Sequence, residues 1–559
     1  MKSFFLPFII LLFASCKKDT NGVRAAVVSA RIEASNIGVK IMKQGGNAFD
    51  AMIATDLALS VCYPSAGNIG GGGFLVYRMS SGLVGSLDFR EKSPSQSFEK
   101  MFLNPKGDVI KGKSTMGGLA VGVPGTIAGL FEVHNKLCTL PFEDLIQPAI
   151  DLARNGFIVT ENQAYNLNLY KNDFILLNGN KTFYNKKFKK GDTIINLNMA
   201  NTLEKIRLFG KDGFYKGDIA KNIVKTVQSS GGIMTLEDLN NYKPIWRRPI
   251  SFKYKNLNIY SMGLPSSGGI CLAQIMSMIE PYNIGQYLPK SNKAVQLIVE
   301  SERRSFADRS KFLGDPDFNN VPVDSLLSKI YLTKRMSTFS FENATPSKDI
   351  NPGAITWHES DQTTHYSIID LDGNAVSVTT TLNANYGSKL FVEEGGFFLN
   401  NEMDDFSIKT GKANMYGLIG GKINKVAPNK RMLSSMAPTI VEENGKLALV
   451  LGSPGGSSII TSVLQVILNV FEFNMDIVQA VNASRYHHQW LPEYIDLEPN
   501  TFTRGRIKEL RQKGYYIDRV RDRFIGRVDA IRVTSEGHII PAADPRGDDA
   551  KATILATNN

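Results

Sequence analysis

The stretch Gln362-Thr363-Thr364-His365-Tyr366-Ser367-Ile368-Ile369-Asp370, continuing through Leu371-Asp372-Gly373-Asn374 to Ala375-Val376-Ser377-Val378-Thr379-Thr380-Thr381-Leu382-Asn383, decides how the rest of the chain is read. Two runs of β-branched and apolar residues flank Asp372-Gly373-Asn374, whose residues tolerate positive φ, so the spacing predicts a β-hairpin. If the strands pair about Asp372-Gly373, facing residues have numbers that sum to about 745, give or take one. Thr363 then lies opposite Thr381 or Leu382, and two hydroxyls from distant positions meet. Threonine-rich strands are ordinary β structure when taken alone. The neighbourhood gives this one its meaning.

The 559 residues include 43% apolar and 21% charged side chains, the composition of a soluble globular protein with a large core. The formal charge of +11 is spread along the chain without an arginine-rich arm. Lys186-Lys187-Phe188-Lys189-Lys190, the densest cluster, reads as a solvated loop, and no nucleic-acid partner is expected. A basic surface suits an anionic envelope.

Residues 1–15 read as a signal peptide. Lys2 gives the positive start, Phe4 to Phe13 an apolar core too short to span a bilayer, and Ala14-Ser15-Cys16 a small-residue cleavage site. The position of Cys16 resembles a bacterial lipobox, in which the cysteine becomes the lipidated first residue. Residues 16–24 then form a polar tether. The expected location is the bacterial cell envelope, as a periplasmic or outer-membrane lipoprotein. Cys62, Cys138 and Cys271 are odd in number, lie in apolar surroundings and read as buried thiols.

Helical periodicity runs from Ile32 to Met42 and, after an Asn47 cap, from Ala48 to Val61. The glycines Gly70 to Gly73 lead into a strand, Phe74 to Arg78, and not into a helix, which excludes a dinucleotide loop. A second strand, Leu83 to Phe89, delivers Arg90 and Glu91 at its end. Gly107-Asp108-Val109-Ile110-Lys111-Gly112-Lys113-Ser114 matches the letters of a phosphate-binding loop. A turn precedes it and Met116-Gly117-Gly118 follows, so the strand and helix that such a loop needs are missing. Asp108 to Lys111 reads instead as a short strand of a surface hairpin.

Later segments carry more chemistry. Glu402-Met403-Asp404-Asp405 gathers three carboxylates; alone, such a cluster reads as a solvated loop or helix cap, and the EF-hand spacing is absent. Asn414 to Gly421 is glycine-rich, with the makings of a mobile lid. Leu447 to Leu451 reads as a strand, Gly452-Ser453-Pro454-Gly455-Gly456-Ser457 as a turn, and Ser458 to Phe471 as an apolar helix. A glycine turn at a helix start presents backbone N–H groups to an anion or a developing oxyanion. The six histidines form no metal-ligand spacing, and no GxSxG elbow is present. A threonine at the start of a hairpin, after the Pro- and Gly-rich stretch Thr345 to His358, suits an N-terminal nucleophile whose own α-amine is the base.

Several long words, in order, closely resemble the γ-glutamyltranspeptidase (glutathione hydrolase) family. They are Asn68-Ile69-Gly70-Gly71-Gly72-Gly73-Phe74, Asp88-Phe89-Arg90-Glu91, Gln362 to Ser367, Asn400 to Phe406, Pro428-Asn429-Lys430-Arg431, Leu433-Ser434-Ser435-Met436 and Gly452-Ser453-Pro454-Gly455-Gly456. The resemblance runs from about Ala25 to the C-terminus. It implies an α+β, four-layer αββα sandwich of the N-terminal-nucleophile hydrolases. A large subunit, 25–362, and a small one, 363–559, would build it jointly as one interwoven unit.

It also implies self-cleavage between Gln362 and Thr363, with Thr363 then forming a γ-glutamyl-enzyme from glutathione or γ-glutamyl peptides. Water or an amino-acid or dipeptide acceptor would resolve it, without metal or organic cofactor. Carried over by position, Thr381 orients the nucleophile and Gly455 and Gly456 supply the oxyanion N–H groups. Arg90, Ser434 and Ser435 hold the α-carboxylate, Asn383, Glu402 and Asp405 hold the α-ammonium, and Tyr416 is the lid tyrosine. Met432 and Ala437 depart from the expected Pro and Ser. The rivals are a related amidase acting on glutaryl or cephalosporin side chains and a non-catalytic binding lipoprotein.

Overall fold

The computed structural model describes residues 22–180, 182–350, 363–517 and 524–556. Gln362, Cys16 and the leader lie outside them. Thirteen strands form two antiparallel sheets. Those preceding the hairpin are β1 (Val23–Ser29), β2 (Gly72–Arg78), β3 (Val84–Asp88), β4 (Ile245–Arg247), β5 (Ile250–Tyr254) and β6 (Leu257–Ser261). The hairpin is β7 (Thr364–Ile369) and β8 (Ala375–Thr381). After it come β9 (Thr439–Glu443), β10 (Lys446–Gly452), β11 (Asp529–Val533), β12 (Ile539–Ala542) and β13 (Ala550–Leu555). One sheet runs β13-β1-β7-β8-β2-β3-β4 and the other β12-β11-β10-β9-β6-β5.

The sheets face each other, with β7 and β8 against β10 and β11. On the outer face of the first sheet lie α1 (Ile32–Lys43) and α2 (Ala48–Cys62). A further helix, α3 (Glu161–Leu169), belongs to the same half. Covering the second sheet are α4 (Gly268–Ile279), α5 (Asn292–Phe312), which packs on α4, and α6 (Ser458–Phe471). This is the αββα sandwich.

The alternation of β1 explains the layering. Ala25 and Val27 join the core beneath α1 and α2, whereas Ala26 and Val28 join the core between the sheets. Leu75 and Phe74 of β2 divide the same way. A strand apolar on both faces must be covered on both, and two sheets with outer helices do so. The Asn47 cap forms a full capping box with Asp50.

The predicted hairpin pairs Thr380 with Thr364 and Ala375 with Ile369, so facing numbers sum to 744. That register continues to Thr363 and Thr381, as the sequence allows. Asp370 closes the turn by accepting from the backbone N–H of Asp372 and of Asn374. In the segment 107–114 the expected strand Asp108 to Lys111 is reduced to a single antiparallel bridge from Val109 to Leu103, residues 111–114 are turn, and the Ser114 hydroxyl donates to Asp404 at 2.6 Å. It has neither the strand nor the helix of a phosphate loop. Lys186, Lys187, Lys189 and Lys190 are exposed, as expected of a solvated loop.

One expectation read from an isolated segment fails. Glu402–Asp405 is a 3₁₀ turn whose Glu402 and Asp404 are buried, not a solvated loop. Arg90, just after β3, is 1% exposed. Both fold inward because each supplies the other's counter-charge.

Candidate functional site

Thr363, Thr381, Asn383, Arg90, Asp405, Tyr416, Ser434, Ser435 and Gly456 line one small chamber at an end of the two sheets, together with Leu418, Met436 and Ile459. The structure therefore brings together nearly all the residues singled out from sequence. Gly455 faces the other side of its turn, and Glu402 lies just behind Arg90.

Each side chain is placed by a nameable local cause. Thr363 precedes β7 and is 4% exposed. Thr381 ends β8, and its Oγ1 accepts from the Asn383 N–H at 2.7 Å. That bond tightens a turn in which Asn383 adopts φ +72°, a conformation asparagine tolerates better than most residues. The Asn383 amide donates to Asn401 O at 3.1 Å, and its carbonyl accepts from the Tyr416 hydroxyl. Ser434 and Ser435 are fixed by α4 and α5. Ser434 O accepts from the Ser267 N–H and hydroxyl, and Arg309 of α5 donates to Ser435 Oγ at 3.1 Å and Ser267 Oγ at 2.8 Å.

Charge is concentrated around Arg90. Its Nη1 lies 2.6 Å from Glu402 Oε2 and 3.7 Å from Glu91, and its Nη2 lies 2.6 Å from Asp405 Oδ2. Burial works against this cation, but the three carboxylates hold its pKa well above the ordinary arginine value. Arg309 also acts on Asp405. Burial pushes Glu91 up to about 8 and raises Glu402 and Asp405, with Arg90 opposing in each case. The 2.6 Å contact of Glu402 Oε2 with Arg90 is off the hydrogen-bond direction, and the side chain of Thr381 opposes the rise of the Glu402 pKa from the other side. Asp405 Oδ1 accepts from Asn414 at 3.0 Å.

The turn after β10 completes the chamber. Gly455 and Gly456 have φ +134° and +53°, where a side chain is strained. Their carbonyls are used by the first turn of α6, Gly455 O accepting from Ser458. Among the described residues neither glycine N–H has a partner. Two free donors at a helix start can stabilise an anion.

Sequence reasoning missed Arg309, which holds Ser435 from α5. It quoted Asn401, Asn414 and Glu91 without giving them a role. His487 and His488 are buried. His365 is buried between Thr379 and Ser367 at 3.0 Å each, and burial pushes its pKa down to about 3. Among the described residues no cluster of histidine, cysteine and carboxylate is arranged to hold a metal.

Residues 34–554 match the family model described as Gamma-glutamyltranspeptidase. The glutathione hydrolase proenzyme of Escherichia coli K12 is 44% identical over 527 residues, which cover 94% of this chain and 90% of that protein. The glutathione hydrolase proenzyme of Bacillus subtilis strain 168 is 37% identical, over 85% of this chain and 82% of that one. Among solved structures, γ-glutamyltranspeptidase from Helicobacter pylori superposes with a TM-score of 0.58 at 39% identity, covering 62% of this chain and 99% of that one. A cephalosporin acylase from Bacillus halodurans gives 0.82 at 24% identity, over 99% of this chain and 100% of that one, and shares the fold.

Proposed function

Because this chain belongs to the γ-glutamyltranspeptidase family, we propose that it cleaves itself before Thr363 and hydrolyses or transfers the γ-glutamyl group of glutathione and related peptides. The observation that carries this is the company Thr363 keeps: Arg90, Asp405 and Gly456 line the same chamber, with Glu402 against Arg90 from behind and the N–H of Gly455 next to that of Gly456 in the turn.

Processing begins with Thr363 Oγ attacking the Gln362 carbonyl; the ester that replaces the peptide bond is then hydrolysed. The new α-amine of Thr363, with an ordinary pKa of ~7.7–8.0, is the base near neutral pH. The Thr381 hydroxyl, one register step beyond the Thr364–Thr380 pair, orients the nucleophile. In catalysis the same Oγ attacks the γ-carbonyl of the substrate. The Gly455 and Gly456 N–H groups stabilise the oxyanion, a donor of this kind contributing ~2.7–4 kcal/mol in other enzymes.

A γ-glutamyl group carries an α-carboxylate and an α-ammonium. The chamber already holds that pattern inside itself, with Arg90 against Asp405 and Glu402. Binding is then an exchange of partners: the substrate carboxylate takes the Arg90 fork with Ser434 and Ser435, and its ammonium takes Asp405, Glu402 and the Asn383 carbonyl. A glutaryl group has no ammonium and would leave Asp405 and Glu402 without a cation, which disfavours the acylase-type reading. Tyr416, over Gly456 and bonded to Asn383, is the lid. Glu91, protonated near neutrality, relieves the excess negative charge behind Arg90.

Export with lipidation at Cys16 is part of the same reading and rests on the leader's residues. No helix among the described residues is long and apolar enough to cross a membrane. The test is intact mass and γ-glutamyl-p-nitroanilide turnover for the wild type and Thr363→Ala. Two fragments meeting at Gln362/Thr363, with turnover, in the wild type alone are expected. An intact or inactive wild type refutes the proposal.

A further inference from the structure

Tyr416 is gripped from more than one side. Its hydroxyl donates to Asn383 O, and its backbone N–H donates to Asn414 Oδ1 at 2.9 Å. Asn414 in turn donates to Asp405, so this grip moves with the carboxylate that exchanges partners on binding. The backbone carbonyl of Tyr416 points elsewhere and accepts from Gln489 Nε2 at 3.1 Å. Gln489 is buried and is not part of the chamber lining.

The direction of each bond behind Gln489 follows from its ends. Its nitrogen meets two backbone carbonyls, Tyr416 O and, at 3.2 Å, Leu491 O, which can only accept. Its Oε1 therefore faces His487 Nε2 at 2.8 Å, and that ring nitrogen carries the proton. Burial lowers the His487 pKa, so the ring is neutral and its Nδ1 is an acceptor. The Thr461 hydroxyl lies 2.8 Å from Nδ1, closer than its 3.1 Å contact with Ser458 O. Phe306 of α5 meets the ring edge-on, with centroids 6.0 Å apart. Thr461, His487, Gln489 and the Tyr416 carbonyl thus form one polarised chain from α6 to the lid, each member donating to the next.

That chain has a mechanical meaning. α6 begins directly after the Gly455–Gly456 turn, Thr461 lies in its first turn, and the Tyr416 ring stands over Gly456. Ser457, the residue after Gly456, also has its Oγ 3.5 Å from His487 Nε2. The glycine turn and the ring above it are therefore mounted on one helix, the turn directly and the ring through His487 and Gln489.

We propose that Gln489, oriented by His487, is a positioning residue: the fixed anchor that keeps Tyr416 over Gly456 while Asp405 and Asn414 shift with the substrate. The inference rests on the chamber being the site of γ-glutamyl transfer.

Two variants test it. Gln489→Met keeps the volume and deletes both donations, whereas Gln489→Glu keeps the bond from His487 but sets an acceptor against Tyr416 O. With γ-glutamyl-p-nitroanilide, kcat should fall about 2- to 13-fold in Gln489→Met, the range for one neutral hydrogen bond, and further in Gln489→Glu. KM should stay within about twofold, because the Arg90 fork is untouched. Trypsin should cut both native variants faster than the wild type after Lys412, which is exposed beside the lid. Tyr416→Phe removes the hydroxyl's bond; adding Gln489→Met to it should cost less than about twofold more, since both act through one ring. Losses that multiply in the double variant, or a Gln489→Met enzyme indistinguishable from wild type, overturn the anchor. Failed processing in both variants overturns it too, by making Gln489 a residue of the fold. A processed wild type without turnover overturns the reading of the chamber instead, and the trypsin comparison still decides whether Gln489 holds the lid.

Discussion

Arg90→Lys separates charge from geometry at the centre of the chamber. Lysine keeps the positive charge that Glu402 and Asp405 require, but one ammonium cannot reproduce a fork whose two nitrogens lie 2.6 Å from two different carboxylates. The loss for a bound α-carboxylate is therefore about one charge-assisted hydrogen bond, ~1.5–3 kcal/mol. That corresponds to a fall of about 13- to 160-fold in kcat/KM. The assay uses γ-glutamyl-p-nitroanilide beside 4-aminobutyryl-p-nitroanilide, which has the ammonium and the scissile bond but no α-carboxylate. The fall should appear with the first and be nearly absent with the second, with thermal unfolding and processing checked on both proteins. Equal losses on the two anilides would refute the assignment of Arg90 to the carboxylate and make it a structural counter-ion.

Other perturbations test other parts. In Gly456→Ala the new Cβ would lie 2.6 Å from Tyr416 Cδ1 at φ +53°, so the lid tyrosine must move; kcat should fall by at least about tenfold, the loss expected when a catalytic contact is displaced, with little change in melting temperature. His365 titrates at about 3 in the fold against 6.5 in the unfolded chain, so below pH 6.5 the unfolded chain takes a proton the native one refuses. Stability is then full above that pH and falls by about 2 kcal/mol between pH 6.5 and 5. Melting of His365→Gln should show a flatter acid slope; equal slopes would count against this. Burial pushes Cys62 up to about 12 and Cys271 to about 11 and also raises Cys138. A chromogenic disulfide at pH 8 should thus leave all three unmodified in the native protein, and the thiol count should rise by three in guanidinium.

The hairpin was legible because its signals are local: an Asp-Gly-Asn turn and strands of fixed period set a register correct to within one residue. The helices beginning at Ala48 and Ser458 were legible for the same reason. The burial of Arg90 and Glu402 was not. A charge reads as exposed until its partner is known, and here the partners are more than 300 positions apart. Arg309 was invisible for a related reason, since it lies in no distinctive word and acts by holding another side chain, and Asn414, although it opens the glycine-rich stretch read as a lid, showed nothing of its bond to Asp405. The roles of Ser434, Ser435 and Asn383 came from family resemblance, not from their own spacing.

The order of strands in the first sheet has a consequence for what cleavage means. β1 lies between β13 and β7, and β8 pairs with β2, so segments from either side of residue 363 are laced through one sheet; β9 and β6 stitch the second in the same way. Cutting the chain therefore frees a reactive terminus without freeing a body. The two polypeptides are partners only in name: neither retains a complete sheet alone, and the equilibrium that joins them is the folding equilibrium itself. Dilution should not part them, and mixing separately made halves should require each to fold upon the other. The single precursor serves as the assembly instruction, and it becomes dispensable once the sheets have closed.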